Sequence, residues 1–186
     1  MFELHQSTNS EGSLAEVWID KKSKICKKYY KPNGITVSGK SNEYDSMRIV
    51  TKLFNNEIYW TTKLKSDLIL ETYEYGKLDN NEGFYILQEY VGTDLLTYYK
   101  NETLHQLFPN IIEQVEEIFK LFQINGIYKI NNALSNMTGM NGKIKAFDFK
   151  YAEHRTYKNK DKEINSIEQW LSKIDPTMKH RLMKYL

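Results

Sequence analysis

Cysteine is almost absent from this chain: Cys26 is the single one in 186 residues. A lone thiol excludes an internal disulfide framework and fits a reducing compartment. Long apolar runs are missing as well. No stretch approaches the roughly 18 residues of a membrane span, and the first residues lack the apolar core of a signal peptide. These absences point to a soluble, cytoplasmic protein with no membrane partner. An excess of either charge is also lacking, since 26 basic residues against 24 acidic ones leave a net charge of +2. That balance disfavours nucleic acid as a partner. There is no internal repeat, low-complexity tract or flexible linker. What the chain does contain is a hydrophobic fraction of 40%, enough for a core, and a high aromatic share of 13%. Its length predicts one domain, or two small lobes around a cleft.

A local scarcity is the most informative. Between Glu117 and Glu153 the only acidic residue is Asp148. It lies within the mostly apolar segment 144–152 (IKAFDFKYA), and Asn136 stands eight residues ahead of that segment. A carboxylate at a strand end, with an amide on the preceding loop, is a pair able to hold a metal ion on a phosphate.

Patterning places these residues on elements. Residues 14–20 (LAEVWID) and 23–30 (SKICKKYY) read as strands joined by the polar Asp20-Lys21-Lys22. Pro32-Asn33-Gly34 breaks the pattern. Over residues 41–54, Tyr44, Met47, Ile49, Val50, Leu53 and Phe54 fall mainly on one helical face, with Ser41 or Asn42 as cap. Strands follow at 69–75 and 84–91, then the connector Gly92-Thr93. The second half is mainly helical. Thr93-Asp94 caps a short helix to Lys100. Residues 109–124 carry an apolar stripe of Ile111, Ile112, Val115, Ile118, Phe119 and Phe122, with Pro109 suited to the first turn and Gly126 to the end. Asn141-Gly142 suits a tight type I′ turn, whose two central positions need positive φ. It joins a strand near 136–139 to one over 143–147. Ile164, Ile167, Leu171 and Ile174 define a last helix, stopped by Asp175-Pro176.

In these residues the chain resembles the protein-kinase-like superfamily over most of residues 7–152. Asp148-Phe149 looks like the start of that family's metal-binding Asp-Phe-Gly motif, and Asn136 takes the place of its metal-binding asparagine. Ser10-Glu-Gly12-Ser-Leu-Ala15-Glu-Val17 resembles the glycine-rich loop, in which Gly12 lets the backbone approach phosphates and Val17 covers the adenine. Taken alone, that stretch also reads as an ordinary turn before a strand. Ile25-Cys26-Lys27-Lys28 resembles the third strand with its phosphate-binding lysine. Alternation puts Lys27 and Lys28 on opposite faces, so only one of them can reach the cleft, and either alone also reads as the solvated edge of a basic strand. The spacing to Tyr30-Lys31-Pro32 favours Lys28, with Cys26 on the same face over the nucleotide. Glu43 is the implied ion-pair partner of that lysine. Residues 84–95 (FYILQEYVGTDL) resemble the fifth strand and hinge, with Gln88 as gatekeeper and the Glu89 carbonyl and Val91 amide bonding the adenine.

The resemblance implies an α+β, two-lobed kinase-like fold. Residues 1–91 form an N-lobe of antiparallel sheet plus one helix, and residues 92–186 a reduced, mainly helical C-lobe with a small hairpin. It implies ATP and Mg²⁺ in an interlobe cleft, and an unidentified small-molecule or protein acceptor. Departures from the family pattern weaken the catalytic side. Asn131 stands where the family has its catalytic Asp, and Lys129 where it often has His. An amide cannot accept a hydroxyl proton as a carboxylate does. Phosphoryl transfer has a loose transition state, so loss of the base need not abolish it, and Asn131 can still orient a hydroxyl. Lys150 replaces the glycine after Asp148-Phe149. Only residues 151–186 follow Lys150, too few for an activation segment plus a full helical subdomain. His154-Arg155 and residues 158–162 read as a solvated basic loop, or as a receiver for an anionic substrate. Three functions therefore stand: a minimal phosphotransferase with weak or impaired activity, a catalytically inactive pseudokinase acting as a binding or regulatory module, and a structural α+β protein without nucleotide.

Overall fold

A computed structural model describes residues 1–5, 15–32, 43–79, 82–129 and 133–186, the side chains of His5 and of residues 43–46 excepted. The fold is α+β, with a five-stranded antiparallel sheet and several helices. Two compact units divide the chain: residues 1–62 with 70–90, and residues 63–69 with 91–186.

In the first unit, strands β1 (Glu3–His5), β2 (Glu16–Asp20), β3 (Ile25–Tyr30), β4 (Thr72–Lys77) and β5 (Phe84–Glu89) run in the order β1-β2-β3-β5-β4. The short edge strand β1 has no signal in the sequence; its three residues are too few for a period. Cross-strand register aligns Val17 with Lys28 and Lys28 with Ile86, and in the next row Ile19 with Cys26 and Cys26 with Gln88. Paired residues project to one side of a sheet. That side is the buried one, and it carries helix α1 (Glu43–Lys63). Val50, Leu53 and Phe54 of α1 close the core against Tyr30, Phe84 and Ile86. The Phe54 ring stacks on Phe84 at 4.4 Å and meets Tyr30 edge-on at 6.1 Å. The helix runs nine residues beyond the expected end at Phe54. Asn, Thr and aromatic residues there have modest helix propensity, and burial of Trp60 holds the extension.

In the second unit, Asp94 caps α2 (Leu95–Lys100), accepting from the Thr97 amide at 3.0 Å as expected. The short α3 (Leu104–Leu107) leads to α4 (Ile111–Ile124), which buries Ile111, Val115, Ile118, Phe119 and Phe122. Strand β6 (Ile127–Tyr128) follows, then the hairpin β7 (Met137–Met140) and β8 (Lys143–Ala146). Asn141 and Gly142 both have positive φ, 53° and 76°, as the expected I′ turn requires. Gln114 of α4 fastens this hairpin: its amide nitrogen donates to the Gly142 carbonyl and its oxygen accepts from the Ile144 amide, each at 2.8 Å. Gly139 admits no side chain, because a Cβ would stand 2.5 Å from the Phe108 ring. The chain closes with β9 (Glu153–His154), α5 (Lys160–Trp170) and α6 (Met178–Leu182).

Two boundaries differ from the expectation. The first unit ends at Tyr90, and the segment 63–69 belongs to the second, where Ala146 donates to the Leu68 carbonyl at 2.8 Å. The helix expected to run up to Asp175-Pro176 ends as α5 at Trp170, and α6 adds a further helix beyond that pair. Among the described residues, no helix is long and apolar enough to cross a membrane.

Candidate functional site

The first unit holds a buried ion pair. The Lys28 ammonium lies 2.8 Å from Glu57 Oε1, and the Tyr30 hydroxyl donates to Glu57 Oε2 at 3.0 Å. The Glu57 side chain is fully buried and that of Lys28 is 9% exposed. Strand alternation decides between the two lysines: Lys27 faces the other side, with its ammonium 5.0 Å from the Tyr29 ring and 5.3 Å from Tyr85. Lys28 is the inward one. Cys26 and Val17 are half-buried on its face. Burial pushes the Cys26 thiol above its ordinary value, partly offset by the nearby Lys28 charge.

Glu43 was the expected partner of Lys28. The carboxylate that the described residues show on this lysine is Glu57, about four turns further along α1; the Glu43 side chain lies outside the described residues. Glu57 went unnamed because the expected helix ended at Phe54. A signal did exist. Val50, Leu53, Phe54, Glu57 and Trp60 share one buried helical stripe, so a lone Glu on an apolar face marks the position.

Gln88 is 1% exposed on the same sheet face. Its amide nitrogen donates to Thr72 Oγ1 at 3.2 Å, and its oxygen has no hydrogen-bond partner among the described residues. Glu89 ends β5, where its amide donates to the Glu71 carbonyl at 2.8 Å. Val91 begins the second unit and is half-buried. Gly12 and Ser10 of the glycine-rich stretch lie outside the described residues, as does Asn131.

In the second unit, the base of the β7–β8 hairpin brings Asn136 beside the Asp-Phe pair. The Phe147 amide donates to the Asn136 carbonyl at 3.1 Å, immediately before Asp148. Asn136 is 8% exposed. Asp148 adopts a left-handed backbone, φ 64°, a conformation that Asp tolerates better than most residues. Phe149 is fully buried: its ring meets Phe122 edge-on at 5.9 Å, and the buried Lys129 ammonium lies 5.5 Å from its centroid. After Phe149 a tight turn closes through the Ala152 amide and the Phe149 carbonyl at 2.9 Å. That turn returns the Lys150 side chain to Asp148, where its ammonium contacts Oδ1 at 2.8 Å and Oδ2 at 2.6 Å.

No family model and no curated protein matches this chain. The chemistry must therefore be judged on the donors themselves. Mg²⁺ takes hard oxygen ligands in a near-octahedral shell and usually binds one or two carboxylates plus phosphate. Asn136 and Asp148 supply suitable atom types. Both Asp148 oxygens, however, already carry the Lys150 ammonium, and a cation arriving there would meet a positive charge at hydrogen-bond distance. Among the described residues no group of three or more His, Cys, Asp or Glu could supplement the pair. As arranged, these side chains do not fit Mg²⁺.

Within the basic segment 154–162, Arg155 is not a solvated charge. Arg155 donates from Nε and Nη2 to the fully buried Glu163 carboxylate, at 3.2 and 2.8 Å, and from Nη1 to the Tyr185 carbonyl. It anchors α5. Lys158, Lys160 and Lys162 are exposed around the start of that helix.

Proposed function

We propose that this chain is a nucleotide-binding module of the kinase-like kind, in which the Lys28 ammonium meets the phosphates of ATP. The buried Lys28–Glu57 pair is the observation that carries this reading. Replacing a buried ion pair by apolar residues of similar volume is often neutral or stabilising, so folding alone gives little reason to keep one. A strand lysine fixed by a helix glutamate is, by contrast, what phosphoryl-transfer sites of this kind require. Val17 and Cys26 on the same face are suited to an adenine, with the Glu89 carbonyl as a backbone partner. Turnover is slow or absent, because Asn131 stands in place of a base. The acceptor, if one is used, is a small molecule or a protein. Mg²⁺ is left out of the proposal, since Asp148 and Asn136 do not fit it as arranged.

The test is ATP binding followed by thermal or chemical unfolding, on the wild type and on Lys28→Met/Glu57→Leu. ATP held at 100 times its dissociation constant stabilises the wild type by about 2.7 kcal/mol. The double variant folds without the shift. Absence of any shift in the wild type at millimolar ATP, with and without Mg²⁺, refutes nucleotide binding. Measuring phosphate release on the chain that binds separates a slow phosphotransferase from an inactive binding module.

A further inference from the structure

Gln88 carries a buried acceptor that the described residues leave unmade. The residue is 1% exposed on the inner face of the first unit's sheet. Its amide nitrogen donates to Thr72 Oγ1 at 3.2 Å. Its Oε1 is closed off from solvent, and among the described residues it is the only buried side-chain nitrogen or oxygen without a hydrogen bond. Folded proteins satisfy nearly all such atoms, so an exception calls for a cause. A buried acceptor left unmade costs more than a typical hydrogen bond returns, and folding alone gives no reason to keep one.

Position narrows the missing donor. Gln88 lies directly opposite Cys26 on β3, and Ile86, two residues back along β5, lies opposite Lys28. Residues two apart on a strand share a face, so the Gln88 row stands about 7 Å along the sheet from the Lys28 row. Cys26 is half-buried, which leaves the Gln88 row open at its immediate neighbour. The last torsion of a glutamine is broad, so a small rotation turns Oε1 toward a ligand lying on Cys26. All of these groups belong to the first unit.

We infer that Gln88 selects the base of the bound nucleotide: Oε1 accepts from the exocyclic amino group of adenine and discriminates against the 6-oxo group of hypoxanthine or guanine. The inference rests on the nucleotide reading above, with phosphates at Lys28 and the base over Cys26. A carboxamide oxygen only accepts, and so does a 6-oxo group. Bringing those two together leaves both lone-pair groups unpaired where water is excluded. A site built to bond one polar substituent rejects the analogue that cannot make the bond, because its own buried group is then stranded. The role assigned to Gln88 is thus acceptance of a hydrogen bond rather than steric closure.

ATP and inosine triphosphate are the probes, since they differ at position 6 of the base, and their affinities are measured by calorimetric titration on the full chain. The wild type binds ATP at least about tenfold more tightly than inosine triphosphate. Gln88→Leu lowers that ratio at least about fivefold, chiefly by weakening ATP. Should Gln88→Leu fail to fold, Gln88→Met, of similar length and without the amide, carries the same expectation. A smaller preference in the wild type, or a smaller drop in the variant, overturns the inference while ATP binding stands. A preference for inosine triphosphate overturns it too, because the amide then presents its nitrogen to the base. If neither nucleotide binds the wild type at millimolar concentration, the nucleotide reading itself falls, and base selection by Gln88 falls with it.

Discussion

Lys28 and Tyr30, two residues apart on one strand, both terminate on Glu57, at 2.8 and 3.0 Å. Each oxygen of the fully buried carboxylate thus has its own donor, one of them charged. Removing Lys28 alone leaves a buried carboxylate facing, among the described residues, a neutral hydroxyl. Lys28→Met is expected to cost about 3–5 kcal/mol in urea unfolding. Lys28→Met/Glu57→Leu should return to within about 1 kcal/mol of the wild type, because the orphaned charge is gone. A harmless single variant would show that the pair is not closed in solution.

Cys26 lies one strand row from Lys28, and burial raises its thiol. The thiolate is the reactive form, so a raised value slows alkylation at neutral pH. The rate with iodoacetamide should keep climbing past the pH at which a free cysteine levels off. ATP should slow it further if the nucleotide covers this face. A rate matching that of free cysteine at every pH would contradict the burial.

Gln114 satisfies both a carbonyl and an amide of the β7–β8 hairpin. Ile144 is 1% exposed, so its amide has no water to turn to. Gln114→Ala is expected to destabilise by about 1–3 kcal/mol and to speed hydrogen exchange at Ile144. Gln114→Glu keeps the acceptor for that amide and loses the donor to Gly142. It should protect Ile144 while still weakening the turn.

Arg155 forks onto Glu163, whose carboxyl is raised by burial and lowered by the guanidinium. In Arg155→Met the lowering contribution disappears, and the folded-state value climbs further above the unfolded one. The folded state then binds the proton more tightly. Its stability is greatest below the unfolded value and is lost as pH rises through the folded one. The variant should therefore be destabilised by about 3–5 kcal/mol at high pH, with the loss shrinking as acid protonates Glu163. A penalty independent of pH between about pH 8 and pH 5 would assign the cost to lost packing instead.

Features with local causes were legible from residue patterns. Asn141-Gly142 demands positive φ at both positions, and the turn is where it was expected. Asp94 caps α2, and the α4 stripe buries five of its six expected residues. Alternation put Lys27 and Lys28 on opposite faces of β3, and they are so placed, Lys28 buried on Glu57 and Lys27 over the Tyr29 ring. What escaped was carried by partners distant in the chain. Helix α1 was cut short at Phe54 because its last turns are weak helix formers, and Glu57 was lost with them. Arg155 looked like a loop charge because Glu163 and the Tyr185 carbonyl come to it only in the folded chain.

The sparse acidity between Glu117 and Glu153 singled out Asp148 from composition alone, and the same gap leaves no other carboxylate near Asn131 in the sequence. Primary structure thus settled which groups exist. Tertiary structure decided what they face: Glu57 for Lys28, and Lys150 for Asp148. The physical reason is that a charge is neutralised by whatever folding places within a few ångströms. That distance depends on helix length, strand face and the turn after Phe149, none of which a residue's identity specifies.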